Sequence, residues 1–187
     1  MVPNLRPGDA LVIVDVQNDF CPGGSLAVPE GDRVVPVLNR WIAAAVAAGI
    51  PVYATRCWHP RRHVSFHERG GPWPPHCVQN SLGAAFHPGL QLPPGAPIIT
   101  KGADLDHDNY SDFYQTDLAE QLRRNGVRRI FVGGLALDYC VRATVLDGLK
   151  EGFEVHLIRA GTRAVEVEPG NGARALAEIS SAGAVIE

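Results

Sequence analysis

The chain has 187 residues, of which 45% are hydrophobic and 20% charged, a balance typical of a folded globular protein with one sizeable core. Its formal net charge is −3 and its 17 lysine and arginine residues are scattered, which argues against a nucleic-acid-binding face. No segment is apolar over the roughly 20 residues that a membrane span needs, and the start of the chain lacks the apolar core of a secretory signal. We therefore expect a cytoplasmic protein with a single domain over residues 1–187.

The first half of the chain predicts two buried strands joined by a helix. Residues 10–14 form a short apolar run rich in β-branched side chains, which is typical of a strand buried on both faces. Apolar residues then recur at helical spacing over 32–48, and Gly49 follows as a helix end. Residues 50–55 predict a second strand. A long segment over 56–94, dense in proline, glycine and histidine, predicts a functional loop.

The second half continues the same alternation of strands and helices. Strands are predicted over residues 97–100, 130–134, 154–158 and 184–186, and helices over 116–125, 138–152 and 169–182. Because right-handed crossovers place helices outside a parallel sheet, this order predicts a three-layer α/β/α fold with a mostly parallel sheet of about six strands.

Three chemically active residues follow predicted strands. Asp15 ends the first strand, Lys101 follows the third, and Cys140 lies in the first turn of the helix after the fourth. Ligands of an open parallel sheet bind outside the carboxyl ends of its strands, so the three side chains should face one crevice. Taken singly, each has an ordinary alternative: a strand-end turn for the aspartate, a solvated charge for the lysine and core filling for the cysteine.

Their chemistry suits nucleophilic catalysis. A thiol of ordinary pKa about 8.5 is mostly protonated at neutral pH, and both a helix N-terminus and a nearby ammonium favour the thiolate. Asp15 would take the thiol proton, pass it to a departing amine and later activate water. The glycine-rich turn before Cys140 directs the backbone amides of Ala136 and Cys140 toward an oxyanion, typically worth about 3–4 kcal/mol per donor.

The four cysteines lie far apart and lack the paired spacing of a structural zinc site. We interpret them as reduced.

Several separate segments together resemble the nicotinamidases, which are isochorismatase-like cysteine hydrolases. The matching segments, in chain order over nearly the whole sequence, are residues 14–26, 58–60, 63–66, 73–78, 101–102 and 134–141. The resemblance implies that Asp15, Lys101 and Cys140 form a catalytic triad and that a cis peptide joins Leu135 to Ala136. It also implies a pocket for a flat pyridine ring, with walls drawn from Phe20, Trp73, Tyr110, Phe113 and Leu135. For Tyr110 and Phe113, simple packing is an equal alternative.

The resemblance further implies a divalent metal ion such as zinc, iron or manganese, bound by an Asp-x-His pair and a later histidine. His59 and His76 match the two histidines, whereas Cys57 stands where the family has aspartate. One interpretation is a Cys/His/His site selective for zinc, since thiolate is a good zinc ligand. The other is a site that has lost both its metal and nicotinamide as substrate. We favour the first; His63, a ligand in some family members only, fits a supporting or exposed role better.

The resemblance thus implies hydrolysis of nicotinamide to nicotinate and ammonia, which feeds NAD salvage, by an enzyme that self-associates. One alternative is a related cysteine amidase or carbamoyl hydrolase of another small molecule. Another is a non-catalytic, ligand-binding member of the fold. Isochorismatase activity is disfavoured, because resemblance to that enzyme does not call for a nucleophilic cysteine.

Overall fold

The computed structural model describes residues 4–187, which form a six-stranded, entirely parallel sheet in the order β3-β2-β1-β4-β5-β6. The strands are β1 Asp9–Val14, β2 Val52–Cys57, β3 Ile98–Lys101, β4 Arg129–Leu135, β5 Glu154–Arg163 and β6 Val185–Ile186. The helices are α1 Val34–Ala47, α2 Leu118–Arg124, α3 Arg142–Lys150 and α4 Asn171–Ser181. The predicted α/β fold with a parallel sheet is confirmed.

Strand β1 lies at the centre of the sheet. All six of its residues are buried, as its continuous apolar sequence predicts, and it pairs with β2 on one side and β4 on the other. Strands β2 and β3 extend the sheet in one direction and β4 to β6 extend it in the other. The strand order therefore reverses at β1, and a crevice forms beyond its carboxyl end.

Helix α1 covers the sheet with an apolar stripe. Its buried residues, spaced at three and four positions, are Val34, Val35, Leu38, Trp41, Ile42 and Ala45. Gly49 adopts a positive φ of 66° just after the helix, where a side chain would be strained. The predicted helix and its end are confirmed.

The largest differences from the sequence prediction concern α3 and β5, whereas the other elements shift by one or two residues at their ends. The helix expected over residues 138–152 begins with a single π-type turn at Leu137–Val141 before α3 starts at Arg142. Strand β5 runs on to Arg163, past a register shift against β4, whereas the apolar pattern predicts an end at Ile158. In the described part of the chain, no helix is both long and apolar enough to cross a lipid bilayer.

Candidate active site

Asp15, Lys101 and Cys140 meet at the carboxyl edge of the sheet. Lys101 Nζ lies 2.5 Å from Asp15 Oδ2, and both side chains are fully buried. A carboxylate oxygen of Asp15 and the sulfurs of Cys57 and Cys140 all lie within 4.8 Å of one another. The structure thus brings together the acid, the cation and the nucleophile that the strand ends predict.

A second carboxylate contacts the same lysine. Asp112 lies in the irregular segment between β3 and α2, and its Oδ1 is 2.5 Å from Lys101 Nζ. Its backbone N–H donates to Thr144 Oγ1 at 3.0 Å, which ties the segment to α3. Its other oxygen, Oδ2, is buried without a hydrogen-bond partner. Sequence reasoning misses this residue because no strand end or helical period fixes the position of a loop aspartate.

The lysine is held as an ammonium ion. Burial by itself would lower the pKa of Lys101, but the negative charges of Asp112 and Asp15 outweigh burial and raise that pKa well above its ordinary value. Burial raises the pKa of Asp112 to about 6, with Lys101 opposing the shift and Asp15 adding to it. One ammonium therefore serves two carboxylates, of which Asp112 accepts a proton near neutral pH.

The surroundings of Cys140 shift its pKa in the direction opposite to the expected stabilisation of a thiolate. A hydrogen bond with Cys57 and then burial raise the pKa of the Cys140 thiol well above its ordinary value, although Lys101 acts in the opposite direction. Both causes favour the neutral thiol. A base has to remove its proton before or during attack on a substrate.

A cavity lies against Cys140. Its lining residues are Phe20, Leu26, Val28, Cys57, His59, Trp73, His76, Asp108, Asn109, Tyr110, Ala136, Tyr139, Cys140 and Val165. Phe20, Trp73 and Tyr110 are thus at the predicted pocket, and Trp73 Nε1 donates to Tyr110 Oη at 2.9 Å. Tyr139, which sequence reasoning missed, packs edge-on against Trp73 with ring centroids 4.9 Å apart. These rings form an apolar enclosure suited to a flat aromatic group.

The other two expected wall residues lie elsewhere. Phe113 stacks on Phe153 with ring centroids 5.9 Å apart, and the side chain of Leu135 is fully buried in the core. The peptide bond between Leu135 and Ala136 is cis, as the resemblance implies. Ala136 and Cys140, the two expected oxyanion donors, both line the cavity.

His59 and His76 lie side by side and could each bind a metal ion. Their rings are buried with centroids 4.8 Å apart, and each Nδ1 faces a backbone carbonyl, Gly102 O at 3.0 Å for His59 and Pro74 O at 2.8 Å for His76. A carbonyl can only accept, so Nδ1 carries the proton and Nε2 is left to bind a metal, the pattern common in metalloproteins. Burial lowers the pKa of both rings, that of His59 to about 2, which keeps them neutral as ligation requires.

The structure places His63 and Cys57 differently from these two histidines. Both nitrogens of His63 are engaged, Nδ1 with Ser65 Oγ at 2.7 Å and Nε2 with His107 O at 2.9 Å, which fits the expected supporting role. The sulfur of Cys57 lies 3.5 Å from Asp15 Oδ2. Among residues 4–187 it forms a compact group with Asp15 and Cys140, and none with the histidine pair. The expected Cys/His/His set is therefore not assembled.

The position of Cys57 follows from a clamp made by Gln17. The Cys57 N–H donates to Gln17 Oε1, and Gln17 Nε2 donates to the carbonyl oxygens of Cys57 and Ala84, each at 2.8 Å. Gln17 is fully buried just after β1, so it fixes the last residue of β2 beside Asp15. Cysteine at this position thus places a second thiol beside Asp15 and Cys140.

Comparison with known proteins identifies the family. Residues 9–187 match the family described as Isochorismatase domain. The chain belongs to this isochorismatase family. Its similarity extends over whole chains: it is 42% identical to a nicotinamidase of Escherichia coli, with 96% of this chain and 94% of the relative covered. It is 40% identical to a nicotinamidase/pyrazinamidase of Mycobacterium tuberculosis, with 80% and 83% covered.

Two solved structures are also similar to this isochorismatase-family chain over almost its whole length. The pyrazinamidase of Pyrococcus horikoshii, in complex with zinc, has a TM-score of 0.93 and 50% identity, with 97% of this chain and 99% of that chain covered. PnC1 from L. infantum, in complex with nicotinate, has a TM-score of 0.86 and 39% identity, with 97% and 92% covered.

Proposed function

We propose that this member of the isochorismatase family is a nicotinamidase, which hydrolyses nicotinamide to nicotinate and ammonia through a thioester on Cys140. The observation that carries the proposal is the buried cluster of Asp15, Lys101 and Cys140 beside an aromatic cavity. Whole-length relatives named nicotinamidase support the same carboxamide chemistry. The role proposed for the reaction is NAD salvage in the cytoplasm.

In the proposed first half-reaction, Asp15 removes the proton from Cys140 as the sulfur attacks the carboxamide carbon. The backbone amides of Ala136 and Cys140 stabilise the oxyanion of the tetrahedral intermediate. Asp15 then delivers the proton to the amide nitrogen, the C–N bond breaks, and ammonia leaves a thioester behind. The raised pKa of the Cys140 thiol makes a neighbouring base necessary for this step.

In the second half-reaction, water loses a proton to Asp15 and attacks the thioester carbon. The C–S bond breaks, the proton returns to the sulfur, and the carboxylic acid product leaves with the oxygen of water. The Lys101 ammonium, whose Nζ lies 2.5 Å from Asp15 Oδ2, donates to the carboxylate that transfers the proton in each half-reaction.

The cavity suits a pyridine carboxamide. Phe20, Trp73, Tyr110 and Tyr139 supply ring faces and edges for a flat heteroaromatic ring. His59 and His76 would hold a divalent metal ion, with zinc as the proposed identity, because both are neutral and oriented by carbonyl oxygens. When bound there, the ion supplies a Lewis acid for the ring nitrogen. Metal analysis of protein purified without chelator should find close to one zinc per chain.

A second candidate is a related amidase of a small carbamoyl or amide compound without a ring nitrogen. The position of Cys57 favours it, because that residue joins the triad and leaves two histidines at the metal site. Removal of the metal separates the candidates. Chelation should raise the KM of a nicotinamidase for nicotinamide. An amidase of the second kind should keep its activity on its preferred substrate after chelation and hydrolyse nicotinamide poorly with or without the metal.

The decisive experiment is ammonia release from nicotinamide by the wild type and by Cys140→Ala. We expect the substitution to reduce turnover by at least about 10⁴-fold, because a covalent route has no substitute for its nucleophile. Cys21→Ala is the matched control, since Cys21 is a buried cysteine outside the cluster and should leave turnover unchanged. Equal rates for wild type and Cys140→Ala would contradict the mechanism, and no ammonia from the wild type would contradict the substrate.

A further inference from the structure

Asp112 is a buried, charged side chain that the proposed reaction does not use. It is fully buried, one of its oxygens is 2.5 Å from Lys101 Nζ, and the other has no hydrogen-bond partner. Among buried side-chain oxygens and nitrogens of residues 4–187, the only other one without a partner is Thr162 Oγ1. Leaving a buried carboxylate oxygen unpaired is unfavourable, so its presence at the catalytic lysine calls for an explanation.

We propose that Asp112 is a positioning residue, which holds the Lys101 ammonium against Asp15 and sets the charge that the Cys140 sulfur experiences. The inference rests on the proposed function for its effect on turnover. Its effect on the thiol itself does not depend on any substrate.

The groups around Asp112 determine this charge. Lys101 faces it from β3, Asp15 from the end of β1, and Thr55 from β2, while the Thr144 hydroxyl holds its backbone N–H from α3. With both carboxylates ionised, the cluster with Lys101 carries a net charge of −1; with Asp112 protonated, the net charge is zero. The charge state therefore changes as Asp112 titrates, and burial places its pKa at about 6.

The sign of the effect on Cys140 follows from electrostatics. A negative cluster disfavours the thiolate, so ionised Asp112 raises the pKa of the Cys140 thiol, and neutral Asp112 leaves more of the Lys101 charge to stabilise the sulfur anion. Replacement of Asp112 by a neutral side chain should therefore make Cys140 easier to deprotonate. A residue that only filled space would not change this property.

The test is the pH dependence of Cys140 alkylation by iodoacetamide, measured without substrate, with peptide mapping to separate it from the other three cysteines. The proteins are the wild type, Asp112→Asn, Asp112→Ala and Thr144→Val. We expect the alkylation midpoint to fall by about one pH unit in both Asp112 variants, as for removal of a nearby like charge. Thr144→Val loosens the same segment without removing the charge, so its midpoint should stay at the wild-type value.

An unchanged midpoint in either folded Asp112 variant would overturn the inference. If neither variant folds, the wild type alone decides, because its plot of log rate against pH should flatten near pH 6, where Asp112 ionises. A plot that rises evenly through that region would also overturn it. With nicotinamide as substrate, Asp112→Asn should shift the pH profile of kcat and leave KM unchanged. Failure of the wild type to hydrolyse nicotinamide would affect the proposed function only.

Discussion

The two ends of β1 each hold a buried aspartate paired with a cation, and the two pairs are built differently. At the amino end, Arg129 donates to Asp9 through two parallel hydrogen bonds, Nε to Oδ1 at 2.8 Å and Nη2 to Oδ2 at 2.6 Å. The Arg6 N–H also donates to Asp9 Oδ2, at 2.8 Å. At the carboxyl end, one lysine ammonium is shared by Asp15 and Asp112, and an oxygen of Asp112 has no partner.

The difference between the two pairs appears in the pKa values of their carboxyl groups. Burial would raise the pKa of Asp9, but the hydrogen bonds from Arg129 and Arg6 outweigh it and lower that pKa, so Asp9 stays ionised. At the other end burial prevails and raises the pKa of Asp112 to about 6. A matched guanidinium fork fixes one protonation state, whereas two acids on one ammonium leave a proton exchangeable near neutral pH.

The largest expected effect is a loss of activity that only the carboxyl end of β1 should show. Asp15→Asn should reduce nicotinamide turnover by about 10⁴-fold, because the amide cannot accept the thiol proton. Asp9→Asn is the matched change at the other end of the same strand and should leave kcat at the wild-type value. Ammonia release measured on both variants checks this, and a comparable loss of kcat in both would remove the distinction.

An intermediate effect concerns stability at the amino end. Arg129→Met should lower the free energy of unfolding by about 1.5–3 kcal/mol, because it removes charge-assisted hydrogen bonds from a buried carboxylate. Arg159→Met, at an exposed arginine, is the control and should change it little. Urea unfolding followed by circular dichroism measures both. A stability of Arg129→Met equal to that of the control would show that the Asp9 pair is not stabilising.

The smallest effect is the pH dependence of that stability. Since the folded-state pKa of Asp9 is lowered, its contribution is present above the unfolded value of 3.8 and is lost as the pH falls through the folded value. The difference in urea midpoint between wild type and Asp9→Asn should therefore be constant near neutral pH and shrink in acid. A difference that grew with acidity would reverse the sign of the proposed linkage.

The sequence predicts the position of the triad because each member is tied to a strand end. The apolar runs before Asp15 and Cys140 are strong local signals, and parallel strands bring their carboxyl ends to one edge. Asp112 and Tyr139 have no such signal: the first lies in an irregular segment and the second in a π-type turn, and contacts with distant parts of the chain position both. The backbone of Cys57 is held by Gln17, a partner forty residues away that no local pattern reveals.

The two histidines proposed to bind a metal illustrate a different limit. A resemblance, and not periodicity, points to His59 and His76, and their suitability rests on two carbonyl oxygens that face their Nδ1 atoms. A sequence identifies a histidine, but only the surrounding backbone fixes which nitrogen is left for a ligand. The same reasoning separates these residues from His63, whose two nitrogens are both occupied.

The side-chain amide of Gln17 makes hydrogen bonds to backbone groups of two separate segments, as a neighbouring strand would. Through its bonds to Cys57 and Ala84 it joins the end of β2 to the segment before Phe86, a residue that itself bridges to Gln17. Local opening of that segment would expose the Cys57 amide to solvent at the same time. Hydrogen exchange at the Cys57 amide would therefore report how often the cavity opens beside Cys57 in the absence of substrate.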